Sequence, residues 1–178
     1  MSSMINIFKK FQNNELLSIY QGDSEKFLYG KIIVFNETEV AIYLISPVGK
    51  YDGLVIVKTD SITRIEYGGP YDERMRKLID DKELNAFNHT LSNNSICEQI
   101  LGLSARTQSI VSVEILDSGC DDITGIVETI EDDCVCIKIV DVYGNYAGNA
   151  WAIIEDITQI SFSGGKENAI GHLMKSSH

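Results

Sequence analysis

The stretch Gly30-Lys-Ile-Ile-Val-Phe35 and its counterpart Gly125-Ile-Val-Glu-Thr-Ile130 decide the fold, because each opens a segment that the chain contains twice. A shift of 95 residues aligns residues 30–78 with residues 125–173 over 49 positions without a gap. Most of the eleven identical pairs are glycines at expected turns or aliphatic residues at strand spacing, as a shared backbone demands. The identical pairs are Gly30/Gly125, Val40/Val135, Ile42/Ile137, Gly49/Gly144, Tyr51/Tyr146, Gly53/Gly148, Ile62/Ile157, Thr63/Thr158, Ile65/Ile160, Gly69/Gly164 and Leu78/Leu173.

Alternating apolar residues between polar or glycine-rich turns predict five short strands in each copy. Five strands in so short a segment are typical of a small barrel, whose closure removes exposed strand edges. Apolar residues at helical spacing predict a short helix before and after each set of strands. The expected strands are Leu17–Tyr20, Lys31–Phe35, Val40–Ile45, Leu54–Lys58 and Ser61–Tyr67, and then Val111–Glu114, Ile126–Ile130, Val135–Val140, Asn149–Ile153 and Asp156–Phe162.

The duplication predicts a mainly β chain of two domains joined by a connector. The first barrel is expected in residues 1–80 and the second in residues 95–178. Residues 81–94 between them are polar, but apolar residues from Leu84 to Leu91 recur at helical spacing and indicate a partly packed helical connector. A barrel of this size lies near the lower limit for independent stability, so we expect the two copies to pack together.

The negative charge is unevenly distributed along the chain. The formal net charge is -11, of which residues 1–92 carry -2 (11 basic against 13 acidic side chains) and residues 93–178 carry -9 (4 against 13). Because nucleic acid is bound largely through Lys and Arg, the second half is a poor candidate for that partner. An acidic face instead favours a basic protein surface.

The composition also indicates where the protein acts. Lys9 and Lys10 interrupt the apolar spacing near the N-terminus, and no small-residue cleavage site follows, so no signal peptide is expected. No run approaches the roughly 18 apolar residues that cross a bilayer, so a membrane partner is not expected either. Four cysteines are too few for a disulfide framework in a chain of 178 residues. We therefore expect a cytoplasmic protein.

The segment Gly30-x-Ile-x-x-Phe35, followed by Asn36, resembles the first motif of the Sm-like family, which includes the bacterial Hfq proteins. The segment Val57–Ile62 is similar to the second motif of that family, commonly Ile-Arg-Gly-x-x-Ile. The resemblance implies tandem five-stranded Sm-like barrels, and the same pattern also suits SH3-like barrels. It further implies self-association through strand edges.

RNA binding is the alternative function that this resemblance implies. Uridine binding in the Sm-like family uses polar groups of the two motifs, which points to Asn36 and Lys58 in the less acidic first barrel. The pattern is incomplete, because Val40 stands at the position of the pocket Asn, and Glu131 replaces Asn36 in the second copy. Nucleic acid is therefore not the expected partner.

A metal-dependent or thiol-dependent function is a further alternative. Cys134 and Cys136 lie two residues apart on an expected strand and project from the same face. Their spacing fits no standard zinc motif, and we interpret them as small strand residues with unreactive thiols. The acidic segment Asp117–Asp122 lacks the ligand pattern of an EF-hand. No cofactor is expected, and without a nucleophile or phosphate-binding motif neither is an enzyme.

The leading hypothesis is a non-catalytic interaction or regulatory module whose acidic second domain binds a basic protein surface. An immunity or antitoxin role, in which the acidic domain neutralises a cationic toxin, is one form of it. Loop tyrosines are candidate anchors because they bury a large ring at small entropic cost. Trp151 aligns with Ile56 and is expected in the core. The candidate partner-binding residues are Tyr51, Tyr146, Glu131, Asp132 and Asp133.

Overall fold

A computed structural model describes residues 3–11, 15–22 and 25–176 of the chain. It is mainly β, with antiparallel strands and four helices, which confirms the expected fold class at this level. The chain divides into two compact units, Met1–Ile96 and Cys97–His178. Residues 81–94, which the sequence places in a connector, lie within the first unit.

The first unit is a five-stranded antiparallel sheet with strand order β5-β1-β2-β3-β4. A helix precedes the sheet, and a second helix and a short 3-10 turn, Asp81–Asn85, follow it. Its regular elements are α1 (Ser3–Phe8), β1 (Leu17–Gln21), β2 (Phe27–Phe35), β3 (Glu39–Ile45), β4 (Tyr51–Lys58), β5 (Ile62–Glu66) and α2 (Pro70–Leu78).

The second unit has the equivalent strand order, β10-β6-β7-β8-β9. Helix α3 (Ile96–Thr107) leads into it from the last residue of the first unit. Its other elements are β6 (Val111–Ile115), β7 (Ile123–Glu131), β8 (Cys134–Val140), β9 (Tyr146–Ile153), β10 (Ile157–Phe162) and α4 (Gly165–Ser176).

The two sheets share their strand register and their irregularities. The β2–β3 ladder shifts between Ile32 and Val34, and the β7–β8 ladder shifts at the equivalent residues, Val127 and Thr129. The next ladder shifts after Tyr43 in one unit and after its equivalent in the other. Because such bulges bend and twist a strand, the equivalent strands bend at equivalent positions.

Glycine is required where β2 passes closest to β3. A Cβ atom at Gly30 would lie 1.8 Å from the carbonyl oxygen of Tyr43, and one at Gly125 would lie 2.0 Å from the carbonyl oxygen of Lys138. No larger residue fits without moving the backbone of the neighbouring strand. The identity of this glycine in both copies therefore follows from one close approach that both sheets make.

Each sheet holds the helix that follows it by a buried carboxylate. Asp72 on α2 accepts a hydrogen bond from the Tyr29 hydroxyl at 2.6 Å and another from Arg76 Nε at 2.8 Å. Glu167 on α4, its equivalent, accepts a hydrogen bond from Ser112 Oγ at 2.6 Å. Both carboxylates are buried, so these bonds satisfy groups that would otherwise be costly to remove from water.

Aliphatic and aromatic side chains fill the interior of each sheet. In the first unit, Phe8 of α1 lies edge-on against Phe35, with ring centroids 5.4 Å apart, and so closes one end of the core. The buried core of this unit comprises Phe8, Phe11, Leu17, Ile19, Ile32, Val40, Ile42, Val55, Val57 and Ile62. Fully buried residues of the second unit include Ile100, Leu101, Val111, Val113, Val127, Val135, Ile137 and Ile160.

The prediction of a helical connector in residues 81–94 is wrong for most of its length. Only Asp81–Asn85 forms a helical turn, of the 3-10 type, and residues 86–94 have no regular helix. This stretch is rich in Asn, Ser and Thr, which favour turns over helix interiors. Side chains of the sheet also satisfy its backbone, since the Tyr43 hydroxyl accepts a hydrogen bond from Ala86 N at 2.9 Å.

We expect the substitution Gly30→Ala to destabilise the first unit by about 3 kcal/mol, because the added Cβ overlaps a backbone carbonyl. Urea unfolding followed by circular dichroism measures the change. Gly69→Ala is the matched control, because a Cβ there meets nothing within 4 Å and the expected cost is less than about 1 kcal/mol. Equal unfolding curves for the two variants would show that the close approach does not constrain the fold.

Candidate interaction surface

Three carboxylates form the tip of the β7–β8 hairpin. Glu131 pairs with Cys134 at the end of the ladder, so Asp132 and Asp133 make a two-residue loop. Asp132 has φ +51°, a left-handed conformation that Asp tolerates better than most residues. The carbonyl of Asp133 accepts a hydrogen bond from Ile154 N at 2.8 Å, which fixes the loop against the end of β9. We call Glu131, Asp132 and Asp133 the acidic turn.

The acidic turn is exposed and poor in positive neighbours. Glu131, Asp132 and Asp133 are all exposed, as is Glu128 on the same strand. Within the described part of the chain, no Lys or Arg forms an ion pair with any residue of the acidic turn. Their negative charges are therefore presented to solvent rather than neutralised by the protein itself.

Strand β9 places apolar side chains beside this turn. Trp151 is 57% exposed and Ile153 is 48% exposed. Ile153 pairs with Cys134, the residue that follows the acidic turn, and Trp151 pairs with Cys136. Because alternate residues of a strand share a face, Trp151 and Ile153 lie on one face, next to the turn. We call Trp151 and Ile153 together with the acidic turn the acidic–aromatic surface.

The expectation that Trp151 lies in the core is wrong. Its equivalent in the first unit, Ile56, is 3% exposed, and this alignment suggested burial. Strand β9 ends the strand order of the second unit, as β4 ends that of the first, so the position of the strand within its unit does not account for the difference. The apolar character of a strand residue does not report what covers its side chain, so the alignment does not predict this exposure.

The two loop tyrosines differ in their environments. Tyr146 is 60% exposed, and Lys138 Nζ lies 5.2 Å from the centroid of its ring. Tyr51 is half-buried, and its ring packs on that of Tyr43 at a centroid distance of 4.6 Å. Tyr146 stands at the start of β9, and at about 3.3 Å per residue it lies on the order of 20 Å from Ile153. The structure therefore does not group Tyr146 with the acidic turn.

The local environment favours the protonated form of the two strand cysteines. A hydrogen bond from Cys134 Sγ to Asp133 Oδ1, at 3.3 Å, raises the pKa of the Cys134 thiol, and partial burial and the charges of the acidic turn add to it. Burial raises the pKa of Cys136, and its contact with Glu128 Oε2 at 3.7 Å contributes further. Since the thiolate is the reactive and metal-binding form, both shifts oppose such chemistry at neutral pH.

Asn36 organises the equivalent hairpin of the first unit. Its Oδ1 accepts hydrogen bonds from Thr38 N at 2.9 Å and Glu39 N at 2.8 Å, and its Nδ2 donates to Asn93 O at 3.0 Å. Lys58 is half-buried at the end of β4 and pairs with Glu39. The side-chain oxygen of Asn36 thus serves the turn, and its Nδ2 joins the turn to Asn93.

The acidic loop between β6 and β7 is held by its own contacts. Hydrogen bonds from Ser118 Oγ at 2.6 Å and from Ile115 N at 2.8 Å lower the pKa of Asp122. Lys166 forms an ion pair with Asp121 at 2.6 Å. In the described ranges, no group of three or more His, Cys, Asp or Glu side chains is arranged to hold a metal ion.

Comparisons with known proteins found no match for this chain among protein-family models, curated proteins or solved structures. Across residues 3–11, 15–22 and 25–176, none of the helices has the length and apolar character that a membrane span requires. The candidate surface therefore rests on the geometry of the chain alone.

We expect Asp133→Asn to make Cys134 more reactive. The variant loses a carboxylate acceptor and a negative charge, so the pKa of the thiol falls and more thiolate is present at a given pH. Alkylation by iodoacetamide at pH 8, followed residue by residue by mass spectrometry, should accelerate severalfold at Cys134.

Asp132→Asn is the matched control, because it removes the same charge but not the hydrogen bond to the thiol. A smaller acceleration is expected for this variant. Unchanged alkylation of Cys134 in both variants would mean that the acidic turn does not control the thiol.

Proposed function

We propose that this chain is a non-catalytic interaction or regulatory module that acts inside the cell and binds a basic protein through its second unit. In this proposal each unit is a five-stranded barrel of the Sm-like or SH3-like kind. The observation that carries the proposal is the acidic–aromatic surface, in which exposed Trp151 and Ile153 lie beside three carboxylates without ion-pair partners among the described residues.

The composition of this surface suits protein recognition. Trp is among the residues that most often dominate binding energy, because its large ring excludes water when a partner covers it. Carboxylates around such an anchor attract Lys and Arg, accelerate encounter and exclude acidic competitors. The charge of -9 on residues 93–178 extends the same preference beyond the turn.

The position of this surface at the edge of a sheet supports the proposal further. An edge strand presents main-chain N–H and C=O groups that can pair with an added strand. A basic extended segment could thus pair with β9 while its Lys or Arg side chains reach the acidic turn. Neutralisation of a cationic toxin by an immunity or antitoxin protein is one biological form of such binding.

The aligned residues of the first unit form no equivalent surface. Ile56, which aligns with Trp151, is buried, and Asn36, which aligns with Glu131, is neutral and bonded both within its own turn and to Asn93 O. These differences argue that the two copies of the fold have separate roles. They also weaken the alternative of an RNA site at Asn36, because its side-chain groups are already bonded.

We expect Trp151→Ala and the double variant Glu131→Lys, Asp132→Lys each to reduce partner capture at least tenfold. The first removes the apolar anchor, and the second reverses the charge that attracts a basic surface. A tagged pull-down from the native cell, with captured proteins quantified by mass spectrometry at low and high salt, measures the effect.

Glu37→Lys is the matched control, because Glu37 is exposed in the equivalent turn of the first unit. This variant should capture the same partner as the unchanged protein. Co-purification of RNA with a steep salt dependence, or capture that survives both surface variants, would contradict the proposal in favour of RNA binding or of another surface.

A further inference from the structure

The first unit contains a cavity of about 410 Å³ on the outer side of its sheet. Lys31 on β2 and Tyr43 on β3 form its floor, and residues 84–91 form its opposite wall. We call residues 84–91 the strap. A volume of this size falls in the range of small-molecule sites, roughly 300 to 1,000 Å³.

The strap is fixed at one end by the side chains that form the floor. Lys31 Nζ donates a hydrogen bond to Leu84 O at 2.9 Å, and Ala86 N donates one to the Tyr43 hydroxyl oxygen at 2.9 Å. The same hydroxyl donates to the carbonyl of Glu83. These bonds hold the start of the strap at the sheet, and its remainder, from Phe87 to Leu91, lines one side of the cavity.

The chain beyond the strap is fixed as well. Asn93 O accepts a hydrogen bond from Asn36 Nδ2 at 3.0 Å, and Ile96 N donates one to Glu39 Oε2 at 2.7 Å. Because both flanks are bonded to the sheet, the strap spans the cavity rather than hanging free of it. A pocket built this way is largely formed before any ligand arrives.

Lys31 is an unusual residue for this position. It is 8% exposed, whereas Ile126, the aligned residue of the second unit, is 5% exposed and apolar. The same fold therefore accommodates an aliphatic residue here, and folding does not require a charge. Burial lowers the pKa of Lys31, which reflects the cost of taking the ammonium out of water. Such a cost is commonly retained where the charge has a function.

The remaining lining groups are aromatic or neutral and polar. The Tyr43 ring lies beneath the ammonium of Lys31, at 5.0 Å, and the rings of Phe87 and His89 lie 5.3 Å apart in the strap. Amide side chains of Asn85 and Asn88 add hydrogen-bonding groups. None of the residues that line the cavity is Asp or Glu, although the whole chain has 26 acidic side chains.

We propose that this cavity binds a small organic anion, with a carboxylate or phosphate group near Lys31 and a planar ring against Phe87 of the strap. A buried ammonium attracts an anion more strongly than an exposed one, because water screens it less. Aromatic walls suit a flat ring, and amides orient its polar substituents. The site is separate from the acidic–aromatic surface and does not depend on the function proposed for it.

Two pairs of probes test the proposal on the full chain. Benzoate and adenosine 5′-monophosphate carry a ring with a carboxylate or a phosphate, and benzyl alcohol and adenosine are their neutral counterparts. Calorimetric titration and backbone amide exchange measure binding. We expect at least one anionic probe to bind and to slow backbone amide exchange in residues 84–91. Its neutral counterpart should bind at least tenfold more weakly. The anion that binds better identifies the headgroup.

Lys31→Ile is the decisive variant, because Ile126 shows that the fold accepts isoleucine at this position. Lys31→Ile should weaken binding of the anionic probe at least tenfold. Lys77→Met, which removes an exposed lysine on α2, should leave this binding unchanged. Phe87→Ala should weaken binding of the anionic probe, because it removes the side chain that contacts the ring. The circular dichroism spectrum of this variant should match that of the unchanged chain. Absence of binding by both anionic probes, equal binding of the neutral ones, or full binding by Lys31→Ile would overturn the proposal.

Discussion

The close approach of two neighbouring strands at one glycine is the constraint on which each unit depends. At Gly30 and at Gly125 the next strand comes so near that only a hydrogen atom fits in place of a side chain. Two residues further along, both ladders contain the same bulge. The close approach and the bulge together bend the longest strand of each sheet, and the bend lets a nine-residue strand cover a core that a short helix also caps.

Part of the interior that follows from this bend is shared between the copies, and the outer face differs between them. Equivalent buried carboxylates, Asp72 and Glu167, hold the following helix, although one bonds a tyrosine and the other a serine. On the outside, a buried Lys31 faces the strap in one unit and Ile126 takes its place in the other. The glycine at the close approach and the buried carboxylate are thus shared, whereas the buried lysine is not.

The sequence predicts the repeated backbone well because glycine identity and apolar alternation report directly on steric limits and burial. It locates every strand to within a few residues and places the acidic turn at a hairpin tip. It does not predict the exposure of Trp151, because the apolar character of a strand residue does not report what covers its side chain. It also misses Lys31, although a charge between apolar strand residues, aligned with Ile126, is a signal that the alignment contained.

Exposed charged groups and exposed aromatic area differ in their effects on stability and on pairing with other chains. The carboxylates of the acidic turn remain in water, so they neither raise nor lower the free energy of unfolding by much. Exposed Trp151 and Ile153 do affect the free energy of unfolding. Apolar area that stays in water lacks the stabilisation that burial gives, about 25 cal/mol per Å². An edge strand with such residues is also prone to pair with other chains, and charged neighbours are the usual protection. Under the proposed function, the acidic turn next to β9 disfavours pairing with acidic chains and leaves the strand open to a basic partner.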